Sequence, residues 1–479
     1  MKTTARFTHE KLRHDQPQDL HLAVTLEAPA IDWQARRPAV CVIPVIDVSG
    51  SMSGEKLHYA KQSVMKLVEH LAPGDFCGVV TFTDEVRVVA APAAMSPDAK
   101  APLQAAIGQL GPQGSTNFAG GLFEGLRLAN ELALPPGMVR RVIMFTDGLA
   151  NVGVATKSTD LLHLLEGNLG QATVSAFGYG ADADQELLRD LSTKGKGNYA
   201  FVKSPEDALT AFARELGGLL STYARDLELV IRPAEGTRLT SVVSDVESHE
   251  VDGGAVQISV PDLLSEEARH LVLGLQLGQR AAPGRTPVAL VEGSYRVVDG
   301  DSGRTRSERF EIALEVDRVA AGEEQLAATP TVDELVALAQ LVRAQIEAEE
   351  RAQRGDFAGA REVLGTLLCS LRGRGRDAVA RACGMIMDRL EDQDAYAGST
   401  AFRASMRKGM SRSVAGMFDE DACTVLRQSG LETTTSAQEV MSESFGAPKA
   451  KAASGKTGSA PAAGKRSRGS LTRKKSKRW

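Results

Sequence analysis

The chain has 479 residues, is 43% hydrophobic and carries a formal net charge of -5, which suits a soluble, multidomain globular protein of roughly two to four domains. Cys41, Cys77, Cys369, Cys383 and Cys423 are scattered and odd in number, which excludes the paired spacing of a zinc site or disulfide framework and leaves buried, reduced thiols as the expectation. Met1 to Leu20 hold no apolar stretch like the middle of a signal peptide, and no later segment reaches membrane-spanning length, so a cytoplasmic location without transmembrane segments is expected.

Taken in chain order, residues 1–38 form an N-terminal segment in which Leu20 to Glu27 alternates as a strand. Residues 39–220 alternate short β-rich runs (VCVIPVID, FCGVVTF, VRRVIMFTD, ATVSAFGYG, NYAFV) with amphipathic stretches at Lys56 to Leu71, Phe118 to Leu132, Thr159 to Leu165, Gln185 to Leu191 and Pro205 to Leu219. That alternation is the signature of a sheet covered on both faces, an open doubly wound, mainly parallel α/β domain. Ser204 is expected to cap the last of these helices, with Pro205 in its first turn.

Residues 221–320 change to alternating strands separated by turn residues, as in LELVIRP, AVQISVP, HLVLGLQL, PVALVEGSYRVVD and FEIALEV, and a β-sandwich is expected. The Leu20 to Glu27 strand is expected to pair into that sandwich, so the α/β domain is inserted in it or followed by it. Residues 321–430 read as a small helical domain, with a capping box expected at Thr331 and Glu334 and a helix break at Gly355–Asp356. Residues 431–479 are expected to be disordered. From Lys449 onward, 31 residues contain eleven Lys or Arg and no acid, so the body up to residue 448 carries -16.

The chemistry concentrates in three loops. D-V-S-G-S at Asp47 to Ser51 directly follows the first strong strand and precedes a helix, placing it at the carboxyl edge of the sheet, where open α/β sheets bind ligands. Asp47, Ser49 and Ser51 can converge if the loop turns sharply, helped by Gly50 and Gly54. One carboxylate and two hydroxyls are hard donors suited to Mg2+ or Mn2+. Further oxygen is available from Thr116 in G-S-T-N-F and Asp147 in F-T-D-G, both at strand–helix junctions.

These five residues resemble the metal-ion-dependent adhesion site of the von Willebrand factor A family, which joins a D-x-S-x-S loop, a threonine and a second aspartate. The resemblance implies that Ser49 and Ser51 contact the ion, that Thr116, Asp47 and Asp147 bind it directly or through water, and that one position stays open for an acidic residue of a protein partner. It implies a non-enzymatic scaffold or adaptor, and by analogy an AAA-type ATPase as one candidate partner.

A metal-dependent hydrolase is the alternative, since an open coordination position also suits an attacking water. No histidine lies in the three loops, however, and His58 and His70 fall on the following helix, so binding is the expected use. S-G-K-T at Ser454 to Thr457 resembles the end of a phosphate-binding loop, but Ala450 replaces the first glycine and no strand precedes it, so nucleotide binding is not expected. The run Arg473 to Trp479 could contact nucleic acid or an anionic membrane; a solubilising role is favoured.

Overall fold

The computed structural model describes residues 1–32, 39–131, 138–147, 157–180, 183–202, 205–298, 305–371 and 376–397, with single positions at 399, 402, 403, 406 and 438. Residues Met1–Pro448 form one compact unit, and the second, Lys449–Trp479, lies outside the described residues, as do Ser204, Cys423 and all of the expected tail except Gln438.

Strands β1 (Lys2–Phe7), β2 (Lys11–Arg13) and β3 (Gln18–Glu27) come first. Strand and helix then alternate through β4 (Val40–Asp47), α1 (Glu55–His70), β5 (Phe76–Phe82), β6 (Val86–Ala94), α2 (Pro97–Gly108), α3 (Phe118–Glu131), β7 (Val139–Thr146), α4 (Ser158–Asn168), β8 (Ala172–Tyr179), α5 (Gln185–Lys194), β9 (Lys196–Val202) and α6 (Pro205–Leu220). A run of strands follows: β10 (Thr222–Pro233), β11 (Thr237–Val242), β12 (Glu247–Val251), β13 (Ala255–Val260), β14 (Leu263–Leu264), β15 (Ala268–Leu277), β16 (Gly284–Val298) and β17 (Thr305–Val319). Helices α7 (Pro330–Gln353), α8 (Phe357–Leu371), α9 (Asp377–Asp388) and α10 (Gln393–Ala397) complete the described elements.

The α/β domain is built on a six-stranded sheet in the order β6-β5-β4-β7-β8-β9, parallel except where β6 runs antiparallel to β5. Every residue of β4 and β8 is buried, which is why both read as continuous apolar runs rather than alternating ones. One face packs on α1, α2 and α6 through Leu57, Val64, Leu103, Ile107, Phe212 and Leu216. The other packs on α3, α4 and α5 through Leu122, Leu126, Leu161, Leu165, Leu187 and Leu191. Gly125 of α3 permits close helix–sheet approach, since a Cβ there would stand 2.6 Å from Val45 Cγ2.

The β-sandwich consists of one sheet in the order β1-β3-β15-β11 and another in the order β12-β13-β10-β16-β17-β2, with Leu22, Val24, Leu229, Ile231, Leu273 and Val291 in the shared core. Strand β3 pairs antiparallel with both β1 and β15, so the sandwich takes strands from before and after the α/β domain, which is therefore an insertion. One turn holds both crossings: Ala28 N donates to Glu267 O at 2.9 Å, Ile31 N to Ser265 Oγ at 3.0 Å, and Ser265 N to Ser221 O at 2.8 Å. Val332, Val336 and Ala339 of α7 cover the β1-β3-β15-β11 sheet at Ala23, Val243 and Val272, while Leu341, Leu364, Cys383 and Ile386 form the helical region's own core.

The architecture is the expected one, with two local corrections. The expected capping box gives way to a start two residues earlier: Thr329 is the N-cap and Pro330 the first helical residue, where its fixed φ suits the first turn and its missing amide is no loss. Strand β6 and helix α2 were not foreseen, because β6 is a largely exposed edge strand containing Pro92, and α2 carries Pro102 within it. At Gly355 (φ 80°) the chain reverses, and Asp356 Oδ1 accepts from Gly359 N at 2.9 Å to start α8. Cys41, Cys77 and Cys383 are buried and free, and Cys369 is free and exposed; burial pushes the Cys41 and Cys383 thiols up to about 12.

Candidate metal centre

The chain leaves β4 for β5 and β6 on one side, then crosses to β7 on the other, so β4 and β7 flank the point where strand order reverses. At such a point the following loops diverge and open a crevice at the carboxyl ends of the strands. Register aligns those ends, with Asp47 opposite Phe82 and Ile46 opposite Phe145. Asp47 closes β4, and Asp147 follows β7 directly.

Backbone hydrogen bonds dock the Asp47 and Thr116 loops on each other and on the end of β5. Val48 N donates to Phe82 O at 3.0 Å, Gln113 N to Val48 O at 2.7 Å, Gly50 N to Gly114 O at 3.3 Å and Asn117 N to Thr83 O at 2.6 Å. Gly114 has φ 68°, and a Cβ there would lie 2.1 Å from Asp84 Oδ1, so only glycine lets this loop close against its neighbours. Gly54 takes φ 83° before α1, as the tight turn requires, whereas Gly50 contributes its docked amide rather than a left-handed conformation.

Four of the five expected donors form one chain of hydrogen bonds. Ser49 N donates to Asp47 Oδ1 at 2.9 Å, the Ser49 and Ser51 hydroxyls share a bond at 3.1 Å, and Ser51 Oγ donates to Asp147 Oδ1 at 3.1 Å. Thr116 lies in the docked loop and is 2% exposed, and among the described residues no hydrogen bond links it to the other four. Asp47 and Asp147 are both fully buried, while Ser51 is exposed.

Two neighbours carry no signal in the motif. Thr146 Oγ1 donates to Asp47 Oδ2 at 2.8 Å, and Lys56 Nζ donates to Asp147 Oδ2 at 3.1 Å. The run F-T-D shows Thr146 only as a strand residue, and Lys56 only as the second residue of a helix. Burial pushes the Asp47 carboxyl up to about 6; bonds from Ser49 and Thr146 pull it down, and the nearby Asp147 adds to the rise.

The donor set fits a small, hard divalent cation: two carboxylates and three hydroxyls offer only oxygen, and the Lys56 ammonium against Asp147 marks a position where positive charge is accommodated. Among the described residues no group of three or more His, Cys, Asp or Glu gathers as a ligand cluster.

Residues 42–215 match the model of the von Willebrand factor type A domain. The chain contains a von Willebrand factor type A domain. In sequence it is 31% identical over 197 residues to the uncharacterized protein YfbK of Escherichia coli, covering 40% of this chain and 34% of that one. It is 25% identical over 363 residues to an uncharacterized protein of Synechocystis, covering 72% and 81% respectively. Inter-alpha-trypsin inhibitor heavy chain H1 of Bos taurus is 29% identical over 215 residues, which are 43% of this chain and 23% of that one. The chain thus spans about a third of the Escherichia coli relative and under a quarter of the bovine one.

Two solved structures share the fold: a von Willebrand factor type A protein from Catenulispora acidiphila (TM-score 0.62, 18% identity, 80% of this chain and 88% of that one) and the ArnB paralog VWA2 from Sulfolobus acidocaldarius (TM-score 0.54, 16% identity, 83% and 97%). Both likenesses extend well beyond the A-type domain, into the surrounding sandwich and helices.

Proposed function

We propose that the protein is a metal-dependent interaction scaffold whose A-type domain grips an acidic residue of a protein partner through Mg2+ or Mn2+ held by Asp47, Ser49, Ser51, Thr116 and Asp147. The observation that carries this reading is the hydrogen-bonded chain from Asp47 to Asp147 at the point where strand order reverses. The ion, when bound, supplies an electrophilic position for an incoming carboxylate. The chain's own residues orient the donors: Ser49 N and Thr146 Oγ1 fix both oxygens of Asp47, and Ser51, the exposed donor, stands where a partner approaches. Hydroxyls neutralise the ion only in part, so metal and partner binding reinforce each other. The sandwich and helical domains supply further contacts.

The test is capture of partners from native lysate by the full chain, with Mg2+ or with EDTA, together with calorimetric Mg2+ titration. Capture and titration heat are expected for the wild type in Mg2+, with both lost in Thr116→Ala and in EDTA while the far-UV spectrum is unchanged. Capture indifferent to EDTA, or a Thr116→Ala variant that still takes up Mg2+ at wild-type affinity, overturns the reading.

A further inference from the structure

Lys56 lies outside the oxygen-donor motif, yet its Nζ is 3.1 Å from Asp147 Oδ2 and its side chain is only 24% exposed. It stands in the first turn of α1, two residues after the left-handed Gly54, so the backbone fixes its direction of approach. The carboxylate it meets is fully buried, and the other oxygen of that carboxylate already takes the Ser51 hydroxyl. A second buried carboxylate, Asp47, sits on the same chain of bonds. Buried carboxylates are poorly solvated as anions, and positive charge placed beside them offsets that cost. A divalent cation supplies it fully. The lysine ammonium supplies half, at a residue whose carboxylate the cation must also draw on, and the two positive charges repel strongly at that range.

We propose that Lys56 is an exchangeable counter-ion of the metal centre: it neutralises Asp147 when no divalent cation is bound and is expelled when one binds. The inference rests on the metal-binding reading above and deepens it. Lys56 ties the start of α1 to the Asp147 loop without metal, and its displacement is work that every metal ion must do, which weakens apparent affinity and sharpens the preference for divalent over monovalent cations.

The test uses the full chain as wild type, Lys56→Met, Lys56→Gln and Lys56→Arg, with calorimetric Mg2+ titration and melting curves in EDTA and in saturating Mg2+. Lys56→Met is expected to bind Mg2+ roughly tenfold more tightly, equivalent to about 1.4 kcal/mol. It is expected to melt below wild type in EDTA and to recover in Mg2+. Lys56→Arg, which keeps the charge, should melt near wild type in EDTA with no gain in affinity. Lys56→Gln, which keeps a donor to Asp147 without charge, gives the same comparison if the methionine variant does not fold, and tighter Mg2+ binding by either neutral variant supports the exchange. A wild type that binds Mg2+ alongside neutral variants of equal or weaker affinity overturns the counter-ion role and leaves the metal site standing. A folded wild type that takes up no Mg2+ overturns the proposed function, and the inference with it.

Discussion

Asp47 is fully buried, and its two oxygens are engaged by the Ser49 amide and the Thr146 hydroxyl, yet burial and the neighbouring Asp147 still push its carboxyl up to about 6. Its charged form is therefore costly wherever no cation offsets it. Asp47→Asn removes the charge and keeps the shape: the amide oxygen can accept from Ser49 N, and the amide nitrogen can donate to Thr146 Oγ1 once that hydroxyl rotates. In EDTA at neutral pH the variant is expected to be more stable than wild type by on the order of 1–3 kcal/mol. In saturating Mg2+ that advantage should vanish, because the carboxylate is lost as a donor. Paired melting curves in the two buffers check this, and an asparagine variant that melts lower than wild type in EDTA would show that the burial cost is compensated elsewhere. The sequence pointed to Asp47, Ser49, Ser51, Thr116 and Asp147 because hard oxygen donors stand in three strand–helix loops and together resemble the metal-ion-dependent adhesion site. Thr146 and Lys56 were not legible, since their parts depend on how closely β7 and α1 approach Asp47 and Asp147.

At the level of elements, α6 is held to the sheet by a buried polar network rather than by apolar contact alone. Arg141 of β7 and Glu215 of α6 pair at 3.2 Å with side-chain exposures of 8% and 1%. Ser175 of β8 receives from Arg141 Nη1 at 3.0 Å and donates to Glu215 Oε1 at 2.6 Å, and Asn198 of β9 donates its side-chain amide to Glu215 Oε2. One carboxylate thus ties a helix to three strands. Glu215→Ala leaves the Arg141 guanidinium buried without its counter-charge and is expected to cost about 3–5 kcal/mol, measured by urea denaturation. A loss below about 1 kcal/mol would show that water or a rearranged Arg141 takes over the role. Helix α6 itself was legible from its amphipathic period. The network was not, because Arg141, Ser175 and Asn198 lie on separate strands and meet only through sheet order.

Across the whole molecule, the helical region is bound to the A-type domain by charged and polar contacts. Glu349 of α7, 6% exposed in its side chain, lies 3.5 Å from Arg189 of α5 and 3.4 Å from Arg403, while Gln345 Nε2 donates to Glu349 Oε1 at 2.8 Å and Tyr396 OH to Glu186 Oε1 at 3.0 Å. Arg403 also stacks on Tyr396, with its guanidinium carbon 3.8 Å from the ring centroid. Removing the shared carboxylate takes a buried counter-charge from both guanidiniums, although Arg189 keeps Asp190 and Arg403 keeps its bonds to Tyr396 O and Ser399 Oγ. Glu349→Ala is therefore expected to destabilise this junction by about 3 kcal/mol or more, seen as faster hydrogen exchange in α5 and α7 while the far sandwich strands β12 and β13 keep wild-type protection. Unchanged exchange in α5 would mean that the remaining contacts, such as Tyr396 OH to Glu186, hold the two parts together without Glu349.

The sequence by itself determined most of the succession of elements, though not β6 or α2, because hydrophobic period and turn residues are local properties: buried parallel strands read as unbroken apolar runs, sandwich strands alternate, and helices keep one apolar face. It also determined which oxygen donors the three loops contain. Only the tertiary structure decided that Asp47 and Asp147, one hundred residues apart, share a chain of hydrogen bonds, since that follows from β4 and β7 lying side by side where strand order reverses. The pairing of β3 with β15 was likewise a matter of global closure, in which an N-terminal strand and a segment some 250 residues later bury a common core. Charge neutralisation at Asp147, Glu215 and Glu349 was decided at the same level: a carboxylate is a surface residue by type, and the cation that folding brings against each of these three offsets the cost of burying it.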